Sequence, residues 1–159
     1  MLLGARSPAK AVAFEGLFRA MAPAIRRYAT RQVGADLADD IVDDTFSVVW
    51  RRWSDLPEEA HLRRAWVYRV AHNAVSHAIR TRTRRQSLVT RVQQTERAPH
   101  PADRVVGDDR VSRLLANLPA REREAMSLVV WDGLSASQAA FVLGCSTTAI
   151  SSRDRKSVV

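Results

Sequence analysis

The sequence predicts an all-α protein: two small helical domains joined by a flexible linker, with a helix-turn-helix in the C-terminal domain. Apolar residues recur at steps of three and four through both halves, the spacing that gives an α-helix one buried face. Between the halves, a polar stretch containing prolines has no such period, which is typical of a linker. The 159 residues leave room for two small domains. We expect a flexible N-terminus at 1–10, a first domain at 11–90, a linker at 91–109 and a second domain at 110–159.

The composition favours an anionic partner. The formal net charge is +8, and only Lys10 and Lys156 are lysines, so arginine supplies nearly all of the 25 basic residues. Arginine offers planar, bidentate recognition of phosphates and of guanine edges. A bias toward GC-rich codons would produce the same excess, and the sequence leaves both causes open. A positive charge of this size favours association with a polyanion.

The sequence also lacks the features of several function classes. It contains no acid pair, nucleophile–base set, glycine-rich phosphate loop or metal-ligand cluster, so we expect no catalysis, no metal and no cofactor. Cys145 is the only cysteine, which excludes an internal disulfide. The apolar runs fall short of the roughly 20 residues that cross a bilayer, and the N-terminus has no apolar core of signal-peptide length. We therefore expect a cytoplasmic protein with no membrane contact of its own.

Two segments of the first domain precede its basic region. Residues 11–33 predict two helical pieces that break at Pro23, since proline is tolerated where a helix begins. Residues 35–53 predict a helix whose apolar stripe is Val42, Phe46, Val49 and Trp53.

The helix predicted at 35–53 also has an acidic beginning. Its N-terminal half holds five aspartates: Asp36, Asp39, Asp40, Asp43 and Asp44. Acids in the first turn offset the helix dipole by about 0.3–1 kcal/mol each. Asp43 and Asp44 lie beyond that turn, so dipole compensation explains them poorly. A docking surface for a basic partner is the alternative.

Residues 63–91 predict a long helix with one apolar and one basic face. No carboxylate occurs between Glu59 and Glu96, and the same span holds eight arginines. The predicted packing face consists of Val67, Ala71, Ala74 and Ala78. The opposite face consists of Arg69, Asn73, Ser76 and Arg80. These side chains suit phosphates and base edges, although a solvated helix before an arginine-rich loop is the plainer interpretation.

The most specific pattern is a helix-turn-helix in the second domain. Ser135 and Gln138 form a capping box that opens a short helix. Ala140 provides the small residue where two helices cross, Gly144 can adopt the positive φ of the turn, and Ile150 anchors the second helix. That second helix exposes a row suited to a major groove: Thr147, Thr148, Ser151, Ser152, Arg153 and Arg155. A helical hairpin with no DNA role is the alternative interpretation of the same spacing.

Taken together, these motifs resemble the sigma-70 family of bacterial transcription initiation factors, in particular its two-domain extracytoplasmic-function group. The resemblance runs from about Phe14 to Arg153. DDIVDDTFSVVWRR is similar to the segment that docks on the polymerase clamp helices, and AWVYRVAHNAVSHAIRTRTRR to the one that reads and melts the −10 element. The stretch from 114 to 153 is similar to the domain whose helix-turn-helix reads the −35 element.

The resemblance implies a role for each of these segments. It implies polymerase binding by Asp40, Asp43, Asp44, Phe46 and Trp50. It implies −10 recognition by Arg64, Arg69, His72, Asn73, Ser76 and Arg80, and −35 recognition by the exposed row of the second helix. The loop from Ser54 to Leu62 matches one that captures a flipped base, an extrusion that costs a few kcal/mol. The implied partners are bacterial RNA polymerase core, promoter DNA and an anti-sigma protein.

Two other functions remain open from the residues alone. A stand-alone helix-turn-helix regulator would explain residues 110–155 but would leave the acidic helix and the basic helix without a role. A basic protein that adheres to RNA or membranes would use residues 63–91 without regard to sequence, and its affinity would fall steeply with salt.

Overall fold

The computed structural model describes residues 7–90 and 109–144, and within those ranges all regular structure is helical. The first unit contains α1 (Pro8–Val33), α2 (Ala35–Arg51), a 3₁₀ turn (Trp53–Asp55) and α3 (Ala60–Thr90). The second contains α4 (Asp109–Ala116), α5 (Ala120–Val130) and α6 (Ala136–Leu143). The all-α prediction is confirmed.

The first unit packs α1, α2 and α3 around one apolar core. The largest fully buried side chains from the three helices include Tyr28, Ile25, Ile41 and Tyr68. Gly34 separates α1 from α2 with a φ of 91°, a conformation that favours glycine. The stripe predicted on α2 is largely in the core, because Val42, Phe46 and Val49 are all buried.

The predicted break at Pro23 is wrong. α1 runs without interruption from Pro8 to Val33 with Pro23 inside it. An internal proline costs a helix about 3 kcal/mol through its missing donor and its ring. Met21 and Ile25 are buried on either side of it, so core packing on both sides holds the helix together.

The second unit has the local features expected of a helix-turn-helix as far as Gly144. The Ser135 hydroxyl accepts from the Gln138 backbone N–H at 3.1 Å, and Gln138 Oε1 accepts from the Ser135 N–H at 2.8 Å. Gly144 ends α6 with a φ of 67°, and Ala140 packs against Ala125. The capping box and the left-handed glycine are therefore confirmed, while Ile150 lies outside the described residues.

The two units share a hydrophobic core. Leu128, Leu134, Ala139 and Val142 belong to the same buried cluster as the core of the first unit. α6 packs across α3, the long basic helix. One side of α3 is therefore enclosed by its own domain and part of another side by the second unit.

Removing a core side chain should weaken this framework. Ile25 is fully buried, so Ile25→Ala should lower the free energy of unfolding by about 2–5 kcal/mol, measured by urea titration of helical circular dichroism. Val12 is 71% exposed, and Val12→Ala should change it by less than about 0.5 kcal/mol. Equal effects of the two substitutions would contradict the position given to α1.

Candidate nucleic-acid and protein interfaces

The outer surface of α2 is acidic. Asp40, Asp43 and Asp44 are exposed, while the apolar stripe on the same helix is buried. Asp40 and Asp44 border a groove between α2 and the C-terminal half of α3, and Arg82 and Arg85 border it on the other side. Carboxylates along one wall and guanidiniums along the other make this groove a dipolar surface.

An aromatic cluster adjoins the acids on α2. Trp50 is half-buried, and its ring lies 5.1 Å from that of Phe14 on α1. The ring of Phe18 lies 4.8 Å from that of Phe46. The ammonium group of Lys10 lies 4.0 Å from the centre of the Trp50 ring, a cation–π arrangement.

The five side chains predicted for polymerase binding therefore differ in exposure. The three aspartates reach solvent and Trp50 does so in part, while Phe46 is only 3% exposed and supports the surface from below. Phe14 and Phe18 also belong to this surface, although they were not predicted there from the sequence. Their spacing of four residues on α1 is the signal that would have joined them to it.

α3 has the two faces that its sequence predicts. Val67 and Ala71 are fully buried on the packing face. On the opposite face, Arg69, Asn73 and Arg80 are exposed and Ser76 is partly so. The helix therefore presents an exposed row of guanidinium, amide and hydroxyl groups.

Three of the six side chains predicted to read the −10 element contact the second unit. Arg64 donates to the backbone carbonyl of Asp132. Arg69 lies 3.5 Å from the carbonyl oxygen of Phe141, with its guanidinium 4.9 Å from the Phe141 ring. His72 Nδ1 lies 2.9 Å from Glu124 Oε1.

Asp132 is at the centre of this contact. Its carboxylate accepts from Arg31 and, at 3.1 Å, from the Tyr68 hydroxyl. The side chains of Arg31 and Asp132 are only 14% and 3% exposed. Burial raises the pKa of Asp132 above its usual range, against the opposing effect of the bonds from Arg31 and Tyr68. Burial likewise raises the pKa of Tyr68 to about 12, so its hydroxyl is a neutral donor.

Neither Asp132 nor Arg31 was predicted from the sequence to belong to a functional surface. Asp132 stands next to Gly133 after a helix and has the local pattern of a turn residue. Arg31 lies near the end of α1, where a basic residue simply complements the helix dipole. Their pairing joins positions 101 residues apart, and local spacing carries no signal for it.

The loop before α3 is held by an arginine and bordered by the second unit. Arg63 donates to the carbonyls of Pro57, at 3.1 Å, and of Glu58. Gln138 Nε2 on α6 donates to the His61 carbonyl at 2.9 Å. The segment predicted to capture a base is therefore braced at its C-terminal end, where α3 begins at Ala60.

The predictions of a −35 surface, of metal binding and of membrane contact concern features outside the surfaces on α2 and α3. The predicted −35 side chains lie outside the described residues: Thr147, Thr148, Ser151, Ser152, Arg153 and Arg155. Among residues 7–90 and 109–144, no cluster of His, Cys, Asp and Glu could hold a metal ion. Within the same ranges, no helix is both long and apolar enough to cross a membrane.

Known proteins match the chain over both units. The family described as Sigma-70 region 2 matches residues 17–85, and the one described as Sigma-70, region 4 matches residues 108–153. The RNA polymerase sigma factor NccH of Alcaligenes xylosoxydans is 29% identical over 143 residues, covering 85% of this chain and 75% of NccH. The RNA polymerase sigma factor CnrH of Cupriavidus metallidurans is 32% identical over 127 residues, covering 72% of this chain and 66% of CnrH.

Solved structures match the fold of the chain as well. The sigma factor RpoE in complex with the anti-sigma factor NepR from Bartonella quintana has a TM-score of 0.69 and 28% identity, covering 91% of each chain. CnrH in complex with the cytosolic domain of CnrY has a TM-score of 0.62 and 26% identity, covering 91% of this chain and 82% of CnrH. Since region 2 matches the unit with the acidic and basic helices and region 4 the unit with the helix-turn-helix, the chain belongs to the sigma-70 family of RNA polymerase sigma factors, in its extracytoplasmic-function group.

Proposed function

We propose that this chain is a cytoplasmic sigma factor that binds core RNA polymerase, directs it to promoters, melts the −10 element and reads the −35 element. The observation that carries the proposal is the order of the two family matches, region 2 at 17–85 and then region 4 at 108–153. The chain itself performs no catalysis, because its role is to supply specificity to the polymerase. The domain boundaries at 11–90, 91–109 and 110–159 belong to this proposal.

The outer surface of α2 is the proposed docking site for the polymerase clamp helices. Asp40, Asp43 and Asp44 are exposed there beside the half-buried Trp50. Phe46 lies beneath them in contact with the α1 aromatics. A partner with basic and apolar side chains would meet complementary charge and an aromatic edge.

The exposed face of α3 is the proposed −10 reader. Its row of donors faces away from the core, and no carboxylate occurs between Glu59 and Glu96 to repel phosphates. Guanidinium and amide groups contact both phosphates and base edges. The −35 element is assigned to the helix that follows Gly144, by the row named from the sequence.

An anti-sigma protein is the proposed regulator. The solved RpoE structure holds the anti-sigma factor NepR, and the solved CnrH structure holds the cytosolic domain of CnrY. The similarity of this chain to both over 91% of its length supports a partner of the same kind.

Reversing the charge of the docking site should abolish polymerase binding. Asp43→Arg combined with Asp44→Arg places two cations where a basic partner is proposed to sit, and like charges at an interface are strongly repulsive. We expect the affinity for purified bacterial core polymerase, measured by fluorescence anisotropy of the labelled chain, to fall below detection. The helical circular dichroism should stay unchanged, because both residues are exposed.

A second pair of adjacent exposed acids provides the control. Glu58→Arg combined with Glu59→Arg makes the same change of charge in the loop before α3 and should leave core affinity within about twofold, since surface charges away from an interface contribute little. Undiminished binding by the Asp43 and Asp44 variant would remove the docking assignment.

Truncating the row on α3 should impair strand opening more than initial binding. Asn73→Ala combined with Arg80→Ala removes an exposed amide and an exposed guanidinium from α3. On a promoter selected by run-off transcription from a library, we expect the permanganate reactivity of the melted strand to fall more than closed-complex binding. Arg84→Ala removes an exposed guanidinium from the same helix and should affect both steps equally. Equal losses of strand opening and of closed-complex binding in the Asn73 and Arg80 variant would mean that these residues only contact phosphates.

A further inference from the structure

Lys10 places an ammonium group on the surface proposed to bind the polymerase. Its Nζ lies 4.0 Å from the centre of the Trp50 ring, and Lys10 is partly buried there. Because the face of an indole ring is electron-rich, this cation–π contact is favourable. Lys10 and Phe14 both precede residues 17–85, the range that matches Sigma-70 region 2, so the family match does not account for this contact.

The position of Lys10 in α1 is otherwise unfavourable for a cation. Lys10 is the third residue of α1, where the helix dipole presents positive charge, and the first turn of this helix contains no acid. Within residues 7–90 and 109–144, no carboxylate forms an ion pair with Lys10. In that part of the chain, the Trp50 ring is therefore the contact that offsets the unfavourable position.

The Trp50 ring lines a groove between α1 and α2 that also carries a carboxylate. The groove is lined from α2 by Asp43, Phe46 and Trp50, and from α1 by Phe14 and Phe18. The Phe14 ring meets the Trp50 ring edge-on at 5.1 Å, a packing that holds the indole in place. Asp43 and Trp50 are seven residues apart on one side of α2, or about 10.5 Å along its axis. The groove therefore has two separate places for a cation, the Asp43 carboxylate and the face of the Trp50 ring.

A basic partner that docks on this groove meets Lys10 at the second of these places. An aromatic ring attracts a cation that lies within about 6 Å of its centre. Lys10 already lies within that distance of Trp50, and two like charges at one ring repel each other. A cation of the partner therefore reaches the ring only when Lys10 leaves it. An arginine suits this exchange better than a lysine, because its guanidinium is planar, stacks on aromatic rings and is more weakly hydrated.

We propose that Trp50 is the receptor for an arginine side chain of core polymerase, and that Lys10 competes with this arginine in the free chain. The inference rests on the proposed function, which assigns the polymerase to this surface of α2. The arginine stacks on Trp50, while a second cation of the partner pairs with Asp43 about two helical turns away. Lys10 lowers the affinity for polymerase, because its contact with the ring has to break before the arginine binds.

The affinity of the full-length chain for purified core polymerase tests the competition. Lys10→Ala frees the Trp50 ring, and we expect it to tighten binding by about two- to fivefold, the range of an exposed cation–π contact. Lys10→Arg keeps a cation that stacks on the ring and should bind like the parent. Fluorescence anisotropy of the labelled chain measures all three affinities.

Arg51 provides the matched control, because it is an exposed cation that lines the same groove at the end of α2. Arg51→Ala removes the same charge as Lys10→Ala but frees no ring, since the cation–π contacts of the described residues do not include Arg51. We expect its affinity to stay within about 1.5-fold of the parent. Equal tightening by the two variants would mean that only charge repulsion is relieved, and would overturn the exchange at Trp50.

Removing the ring should remove the effect of Lys10. Trp50→Leu should weaken polymerase binding, and in that background Lys10→Ala should no longer tighten it. Trp50→Phe keeps an aromatic contact with Phe14 but binds cations less strongly than tryptophan, so the gain from Lys10→Ala should be reduced there, even if Trp50→Leu does not fold. A full gain from Lys10→Ala in the Trp50→Phe background would overturn the role of the indole.

A nuclear magnetic resonance signal of the free chain reports the contact directly. Lys10 and Lys156 are the only lysines, so ¹³C-labelled lysine gives two sets of side-chain resonances, and Lys10→Ala identifies one of them. The ring current of Trp50 should shift the Lys10 Hε resonances upfield, and an unshifted set would overturn the competition. Polymerase binding that Lys10→Ala leaves unchanged would overturn the competition alone, whereas an absence of binding by the parent chain would overturn the proposed function as well.

Discussion

The structure depends on one constraint: α3 buries one face, and its arginines have no carboxylate on the same helix with which to pair. Val67 and Ala71 fix the helix in the core, and with them fixed the opposite side can only point outward. Because the stretch between Glu59 and Glu96 contains no carboxylate, α3 cannot neutralise itself through pairs along its own length. Its guanidinium groups are therefore either solvated or in contact with groups from other segments.

Two parts of the fold contact the basic side chains of α3, and a third part of the helix is exposed. Along the C-terminal half, Arg82 donates to the Val33 carbonyl at 3.2 Å and also borders the groove shared with the acids of α2. Toward the N-terminal half, the second unit supplies the Glu124 carboxylate to His72 and the backbone carbonyl of Asp132 to Arg64. Asn73 and Arg80, in the middle of α3, are exposed, and we propose that they contact an external polyanion. We propose that the acids of α2 and the bases of α3 bind two different partners.

Structural features that depend on residues close together in the chain could be predicted from the sequence. The two faces of α3, the capping box at Ser135 and the left-handed Gly144 all follow from periodicity or local backbone chemistry, and the structure agrees with each. The continuity of α1 through Pro23 was mispredicted because tertiary packing overrode a local penalty. The buried ion pair of Asp132 could not be predicted, since its partner Arg31 is 101 residues away in the chain. Long-range polar pairs of this kind produce no periodicity and no motif in the amino-acid sequence.

We propose that α2 faces the polymerase and α3 faces DNA in one assembly. A photo-crosslinking residue introduced at Ser47, exposed on α2, and in a second protein at Thr83, exposed on α3 near Arg80, tests it within a complex of core polymerase and promoter DNA. We expect the Ser47 probe to crosslink to a polymerase subunit and the Thr83 probe to crosslink to DNA. Crosslinks from both probes to the same partner, or a Ser47 probe that reaches only DNA, would contradict it.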